Sequence, residues 1–161
     1  MTTYTFIIFL HIIGTILGTG GSTIAEIQIT KALKDSRVSD DERSLMHANY
    51  FMIRVGMAFI IVSALAMVVY YALDGNPAMV LSDKVWIKEF MFLMIIINAI
   101  ALTRRWVPLW LGASISFTSW WGATFLGAAG YLPYSFLTYL IGYIVAIFAM
   151  AGLLHLIRNR K

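Results

Sequence analysis

FMIRVGMAFIIVSALAMVVYYAL, residues 51–73, decides the fold: twenty-three residues with Arg54 as the one charge. An α-helix rises about 1.5 Å per residue, so a run of this length crosses a hydrocarbon core of about 30 Å. Four further runs of similar character flank it: Tyr4–Ile27, Val85–Leu102, Pro108–Gly127 and Tyr134–Ile157. The runs are long and continuous, without the short alternating strands of a membrane β-barrel. The expectation is an all-α polytopic membrane helical bundle with five transmembrane helices. Residues 1–161 form a single integral-membrane domain, and the lipid bilayer is its first partner.

Composition agrees. Of 161 residues, 60% are apolar and 12% charged, and the mean hydropathy is +0.81. No stretch outside the runs is long enough for a soluble domain. The net charge of +4 is explained by flanks that meet anionic lipid, so no nucleic-acid partner is expected. Cysteine is absent, which removes disulfides, thiolate metal sites and thiol redox chemistry.

The charges also orient the chain. Lys31, Lys34, Arg37 and Arg43 fall in the first connection, Arg104 and Arg105 in the third, and Arg158, Arg160 and Lys161 at the C-terminus. The second connection has only Lys84, and the N-terminus and fourth connection have no Lys or Arg. The positive-inside rule then predicts the N-terminus outside and the C-terminus in the cytoplasm, as a multi-pass protein of the bacterial inner membrane. The first run lacks a basic leader and carries Glu26 where cleavage would fall, so it is expected to stay as a helix.

Between the runs, Lys31–Asn49 mixes both charges and is expected to form a short helix or ordered turn. Ser39 with Glu42 three residues on resembles a capping box for the second span. Asp74-Gly75-Asn76-Pro77 is a turn, as are Gly130, Tyr131 and Pro133. Trp86, Trp106, Trp110, Tyr70, Tyr71, Tyr131 and Tyr134 lie near run ends, as in an aromatic belt. No repeat points to an inverted-repeat transporter.

Span one carries the candidate site. At about 100° per residue, His11, Gly14, Gly18, Gly21, Ser22 and Ala25 share a face. Small residues at this spacing serve close helix packing. An imidazole above a glycine groove also suits a flat macrocycle, with His11 as axial iron ligand and the glycines making room. Lys88 opens span three at the same end, and both residues are expected to line one pocket there. It either snorkels to pair with Glu89 or Asp83, or serves as a propionate partner or second nitrogen ligand.

A second polar cluster lies at the other end. Arg54 sits inside its apolar run, where an unpaired guanidinium is costly, and Glu26 is its expected partner. Arg54 as an anion or propionate site is the alternative. His47 and His155 offer a bis-histidine pair, although histidines at helix ends are ordinarily solvated. In span four, Gly112, Ser116, Ser119, Ala123 and Gly127 share a face, with Trp120 and Trp121 mid-span. Packing explains that face, and a hydroxyl-lined cavity is the alternative. Asn98 needs a partner from a neighbouring helix. Gly18-Thr19-Gly20-Gly21 is not a phosphate loop, because it lies within a span and no Lys-Ser/Thr follows. Three scattered histidines do not have the spacing of a zinc protease.

The stretch Leu10-His11-Ile12-Ile13-Gly14-Thr15, then Gly18-Thr19-Gly20-Gly21, Trp86-Ile87-Lys88 and Asn98, resembles a group of small bacterial membrane proteins. The group comprises the HemJ-type protoporphyrinogen oxidases, the CopD-like copper-resistance domain and uncharacterised relatives of both. The resemblance covers spans one to three, roughly residues 4 to 103. It implies haem b, with the first-helix histidine and a later lysine of the oxidases mapping to His11 and Lys88. Thr19-Gly20-Gly21-Ser22 replaces the aromatic and Leu-Pro-Arg residues of the oxidases, and a fifth span is added. The chain is therefore nearer to the uncharacterised relatives.

The expected function is that of an integral-membrane b-type haem-binding protein in redox or porphyrin chemistry. As an enzyme it would be a haem-dependent oxidoreductase, working with a membrane redox partner or as a homo-oligomer. The alternatives are a transporter or channel for a metal ion or small solute along Glu26, His47 and Arg54, and an accessory subunit binding through its small-residue faces. Methionines such as Met91 and Met94 lie in apolar runs and suit packing better than copper.

Overall fold

The computed structural model describes residues 2–35, 38–75, 78, 80–130 and 132–159. Arg37, Asn76, Pro77, Tyr131, Arg160 and Lys161, which enter the charge, turn and belt expectations above, lie outside them. The described residues form five helices and no strand: α1 (Thr3–Asp35), α2 (Asp40–Leu73), α3 (Asp83–Thr103), α4 (Leu109–Ala128) and α5 (Phe136–Asn159). Four of them, α1, α2, α3 and α5, are long and apolar enough to cross a membrane.

The expected span boundaries hold for α3, α4 and α5 within a few residues. They fall short for α1 and α2, which have 33 and 34 residues. At 1.5 Å per residue each is about 50 Å long, well beyond a hydrocarbon core. Lys31–Asn49 is therefore not a separate short helix. Its first residues, to Asp35, continue α1, and those from Asp40 onward begin α2. Local capping sets the start of α2. Ser39 Oγ accepts from the Glu42 amide at 3.2 Å, and Glu42 Oε2 accepts from the Ser39 amide at 3.1 Å, a complete capping box. Three acidic residues, Asp40, Asp41 and Glu42, then face the positive end of the α2 dipole.

The turn after α3 is built differently. Trp106 N–H returns to the Ala101 carbonyl at 2.8 Å and Arg105 N–H to that of Leu102 at 3.1 Å. This is a Schellman closure with Arg105, at φ 57°, where glycine is usual. Pro108 then enters α4 as its N-cap.

The helices divide into a hairpin, α1–α2, and a trio, α3–α4–α5. Helix α4 sits in the middle, packed on α1, α3 and α5, whereas α2 packs extensively only along α1. In keeping with that position, α4 is the one of the five described helices that is not apolar enough to cross a membrane on its own. Its Ser114, Thr118, Ser119 and Trp120 are buried by neighbours and never face lipid. Two of the hydroxyls bond the preceding turn, Ser114 to Trp110 O at 2.7 Å and Ser119 to Ile115 O at 2.6 Å, as on a packing face, whereas Thr118 Oγ1 has no hydrogen-bond partner among the described residues. Conversely, Phe51, Val62, Leu65, Val69 and Leu73 of α2 are exposed, which is the surface of a helix that meets lipid.

The core of the trio is Ile87 and Met91 from α3, Leu126 from α4, and Tyr143 and Ile147 from α5. Polar pairs fix its register. Asn98 Nδ2 donates to Gly112 O at 2.7 Å, which supplies the partner expected on a neighbouring helix. Ser119 Oγ and Tyr143 Oη are 2.6 Å apart. Asp83 Oδ2 accepts from the Phe136 amide at 3.1 Å and so caps α5 from the start of α3. Beside it, Lys84 Nζ donates to the carbonyls of Ala129 and Gly130.

Candidate functional site

Because the chain alternates direction, the starts of α1, α3 and α5 and the ends of α2 and α4 share one end of the bundle, here the Tyr4 end. The charges Lys31, Arg43, Arg104, Arg105 and Arg158 share the other, the basic end. At the Tyr4 end, Tyr4, Tyr70 and Tyr71 cluster, with the hydroxyls of Tyr4 and Tyr71 2.6 Å apart.

Just inside this end lies a cavity of about 520 Å³. Its walls come from α1, α2, α3 and α4, and α2 and α3 make no extensive contact with each other across it. The hairpin and trio thus meet through α1 and α4 at the back, leaving a cleft between α2 and α3. The walls are mostly apolar, including Ile8, Ile12, Ile60, Met67, Phe92 and Ile95. Set among them are His11, Lys88 and Thr124, with Glu89 at the exposed edge. The structure therefore brings His11 and Lys88 to one cavity.

His11 is half-buried and tied to α2, with Nδ1 2.9 Å from Ser63 Oγ. Lys88 is also half-buried, and among the described residues it makes no ion pair or hydrogen bond. Among the described residues neither Glu89 nor Asp83, which accepts from the Phe136 amide, forms the expected ion pair with Lys88. An amine and an imidazole in an apolar cleft of this size meet the general description of a ligand site, concave and apolar with a few polar groups.

Gly14, Gly18 and Gly21 do not line the cavity. They lie along α1 below His11, and protein fills the space beside each. A Cβ at Gly14 would meet Gly56 O and Ile60 Cγ1, each at 2.8 Å, and one at Gly21 would meet Ile53 Cγ1 at 2.5 Å. A Cβ at Gly18 would fall within the Trp120 ring. The stripe is a packing face for α2 and Trp120, and the macrocycle seat expected there is closed. The open surface lies beside it, on α3 and the end of α4.

The basic end also differs from expectation. Glu26 pairs with Arg158, the last basic residue of α5, at 2.8 Å, not with Arg54. Only 10% of the Glu26 side chain and 12% of that of Arg158 are exposed. Arg54 is exposed and sits over the Tyr50 ring, 5.8 Å from its centroid. Heading outward along α2 costs the guanidinium little, since its stem covers apolar surface and its charge finds an aromatic face. Arg54 does not line the His11 cavity. His47 and His155 are both exposed, on helices that do not pack extensively together. Among the described residues no three His, Asp or Glu side chains gather to hold a metal ion.

Two features of the site had no counterpart in the sequence reading. Ser63, 1% exposed, is the partner of His11. Thr124, one turn from Trp120 on α4, reaches Thr19 Oγ1 at 2.7 Å and closes the cavity floor. Intramembrane hydroxyls one helix away from a histidine are a weak sequence cue, because most simply bond their own backbone. Comparison of the chain with family models, with curated proteins and with solved structures finds no match.

Proposed function

We propose that this protein is a b-type haem-binding membrane protein acting in redox or porphyrin chemistry, with the His11–Lys88 cavity as its site. The observation that carries the reading is that the His11 imidazole of α1 and the Lys88 amine of α3, which makes no ion pair or hydrogen bond among the described residues, share one apolar cleft. One histidine and one lysine are too few for a bare metal ion, which takes four or more protein or water ligands. They would suffice for an iron that arrives already held by a macrocycle and needs only one or two ligands from the protein.

The residues fit this group in part. His11 would hold the iron, and Lys88 would pair with a propionate or supply a second nitrogen to it. The apolar walls exclude water. Gly14, Gly18, Gly21 and Arg54 take no part, since the first three are packed and the last does not line the cavity. When bound, the haem supplies one-electron chemistry; the chain holds it, sets its polarity and controls access. The cleft between α2 and α3 offers entry from the lipid, which suits a poorly water-soluble ligand. The resemblance of Leu10–Thr15 and Trp86–Lys88 to the HemJ-type group points the same way. In this reading the protein lies in a bacterial inner membrane with its N-terminus outside, so the cavity opens in the outer leaflet, where a membrane redox partner or a second copy would meet it.

Titration of haemin into the purified protein tests the reading. One equivalent is expected to bind with a Soret shift, and Lys88→Met is expected to weaken binding while leaving the stoichiometry at one. Absence of saturable binding by the wild type overturns it.

A further inference from the structure

Ser63 Oγ makes three close polar contacts. It lies 2.6 Å from Phe59 O, 3.1 Å from Ile60 O, and 2.9 Å from His11 Nδ1. A serine hydroxyl has a single proton and two lone pairs. Two oxygens 2.6 Å apart repel unless a proton lies between them. The Ser63 proton is therefore directed at the carbonyl of Phe59, the usual back-bond of a helical serine. What Ser63 offers His11 is a lone pair, so the proton in that contact belongs to Nδ1.

The other ring nitrogen is thereby assigned. Nε2 makes no hydrogen bond to any described residue, and His11 lines the cavity that holds Lys88. Ser63 is 1% exposed, so no solvent competes for it, and its hydroxyl is anchored to the α2 backbone. We infer that Ser63 is a positioning residue that locks His11 as the Nδ1–H tautomer, so that the neutral ring presents Nε2 to the cavity as a lone-pair donor.

This defines the ligand class of the site. A bare Nε2 accepts a metal centre or an N–H or O–H group, and repels a carboxylate or carbonyl oxygen placed against it. As an ammonium, Lys88 is a donor only and takes the acidic edge of the same molecule. The ligand is thus apolar in the main, electron-accepting or proton-donating toward α1, and anionic or carbonyl-bearing toward α3. The inference rests on the haem reading only in naming iron as the acceptor. A hydrogen bond from Nδ1 to a fixed oxygen is also what orients a metal-bound histidine and raises its basicity.

Nitrogen-15 NMR of histidine-labelled protein in nanodiscs, with no haem added, tests the tautomer directly. The spectrum is taken near pH 8.5, about two units above the ordinary imidazole value of about 6.5. The His11 resonances are those that vanish in His11→Gln. A protonated Nδ1 and bare Nε2 are expected in the wild type, a shift toward the Nε2–H form in Ser63→Ala, and the wild-type pattern in Ser63→Thr. A wild-type His11 protonated at Nε2 overturns the inference, and so does a Ser63→Ala spectrum identical to wild type. Because the measurement uses haem-free protein, it decides the matter whether or not haem binds. With haem bound, Ser63→Ala is expected to weaken affinity by about 10- to 100-fold.

Discussion

The indole of Trp120 on α4 occupies the space that a side chain at Gly18 on α1 would need. Trp120 is 2% exposed and also walls the His11 cavity, so this contact sets both the approach of the trio to the hairpin and the back of the site. One turn away along α1, Gly14 and Gly56 bring the backbones of α1 and α2 together, a Cβ on Gly56 falling 2.9 Å from Gly14 O. Small residues thus act as the joints between α1 and its two neighbours.

Substitutions at these joints should be costly in proportion to what they strike. Gly18→Ala is expected to lower stability in detergent by about 1–3 kcal/mol, since the ring and two helices must shift. Gly142→Ala and Gly152→Ala, where nothing lies within 4 Å of the new carbon, are expected to be neutral or to stabilise by up to about 1 kcal/mol through helix propensity. Thermal or denaturant unfolding of the three variants checks this. Equal effects at all three sites would show that Gly18 is not a joint.

The Glu26–Arg158 pair ties the ends of α1 and α5, and removing one partner leaves a buried charge. Glu26→Gln is expected to cost about 3 kcal/mol, the low end for a buried pair, because the pair lies near the basic end. Adding Arg158→Met to it should recover more than half of that loss. A double-mutant cycle between Glu26 and Arg54 should show no coupling, since Arg54 rests on Tyr50. The reverse result, coupling to Arg54 and none to Arg158, would refute this arrangement of α5 against α1.

Orientation is open to a direct chemical test because the chain contains no cysteine. Gly75→Cys, in the turn after α2, is expected to react with a membrane-impermeant maleimide on intact spheroplasts. Arg104→Cys, after α3, is expected to react only once the membrane is opened. These outcomes follow from the excess of Lys and Arg at the Arg104 end. Labelling in the opposite order would place the His11 cavity in the cytoplasmic leaflet.

Much of the architecture was legible because membrane helices obey one-dimensional rules. Run length and continuity gave the helices, and Ser39 with Glu42 gave the start of α2. Asn98 was marked as needing a neighbour, and the counting of turns brought His11 and Lys88 to one end. What one dimension lacks is which helices touch. Depth pointed to Arg54 as the partner of Glu26 and passed over Arg158 at the far end of the chain; the packing of α5 on α1 brings Arg158 there instead. The glycine stripe was read as both joint and seat, and only the positions of Gly56, Ile60 and Trp120 distinguish them. Likewise, nothing in the sequence marks α2 as peripheral, because lipid and protein neighbours are both apolar. The overshoot of α1 and α2 beyond the membrane escaped because charged residues in a helix resemble charged residues in a loop. Asp83 as the cap of α5 joins residues more than fifty positions apart, beyond the reach of any local motif.

The central claim, haem at His11, is tested most directly by oxidised and dithionite-reduced absorption spectra of the purified wild type beside His11→Ala, each after haem supplementation. A Soret band and a reduced α-band in the wild type, lost or strongly weakened in His11→Ala, are the predicted result. A wild type showing only the 280 nm aromatic band, or haem bands indifferent to His11→Ala, would contradict it.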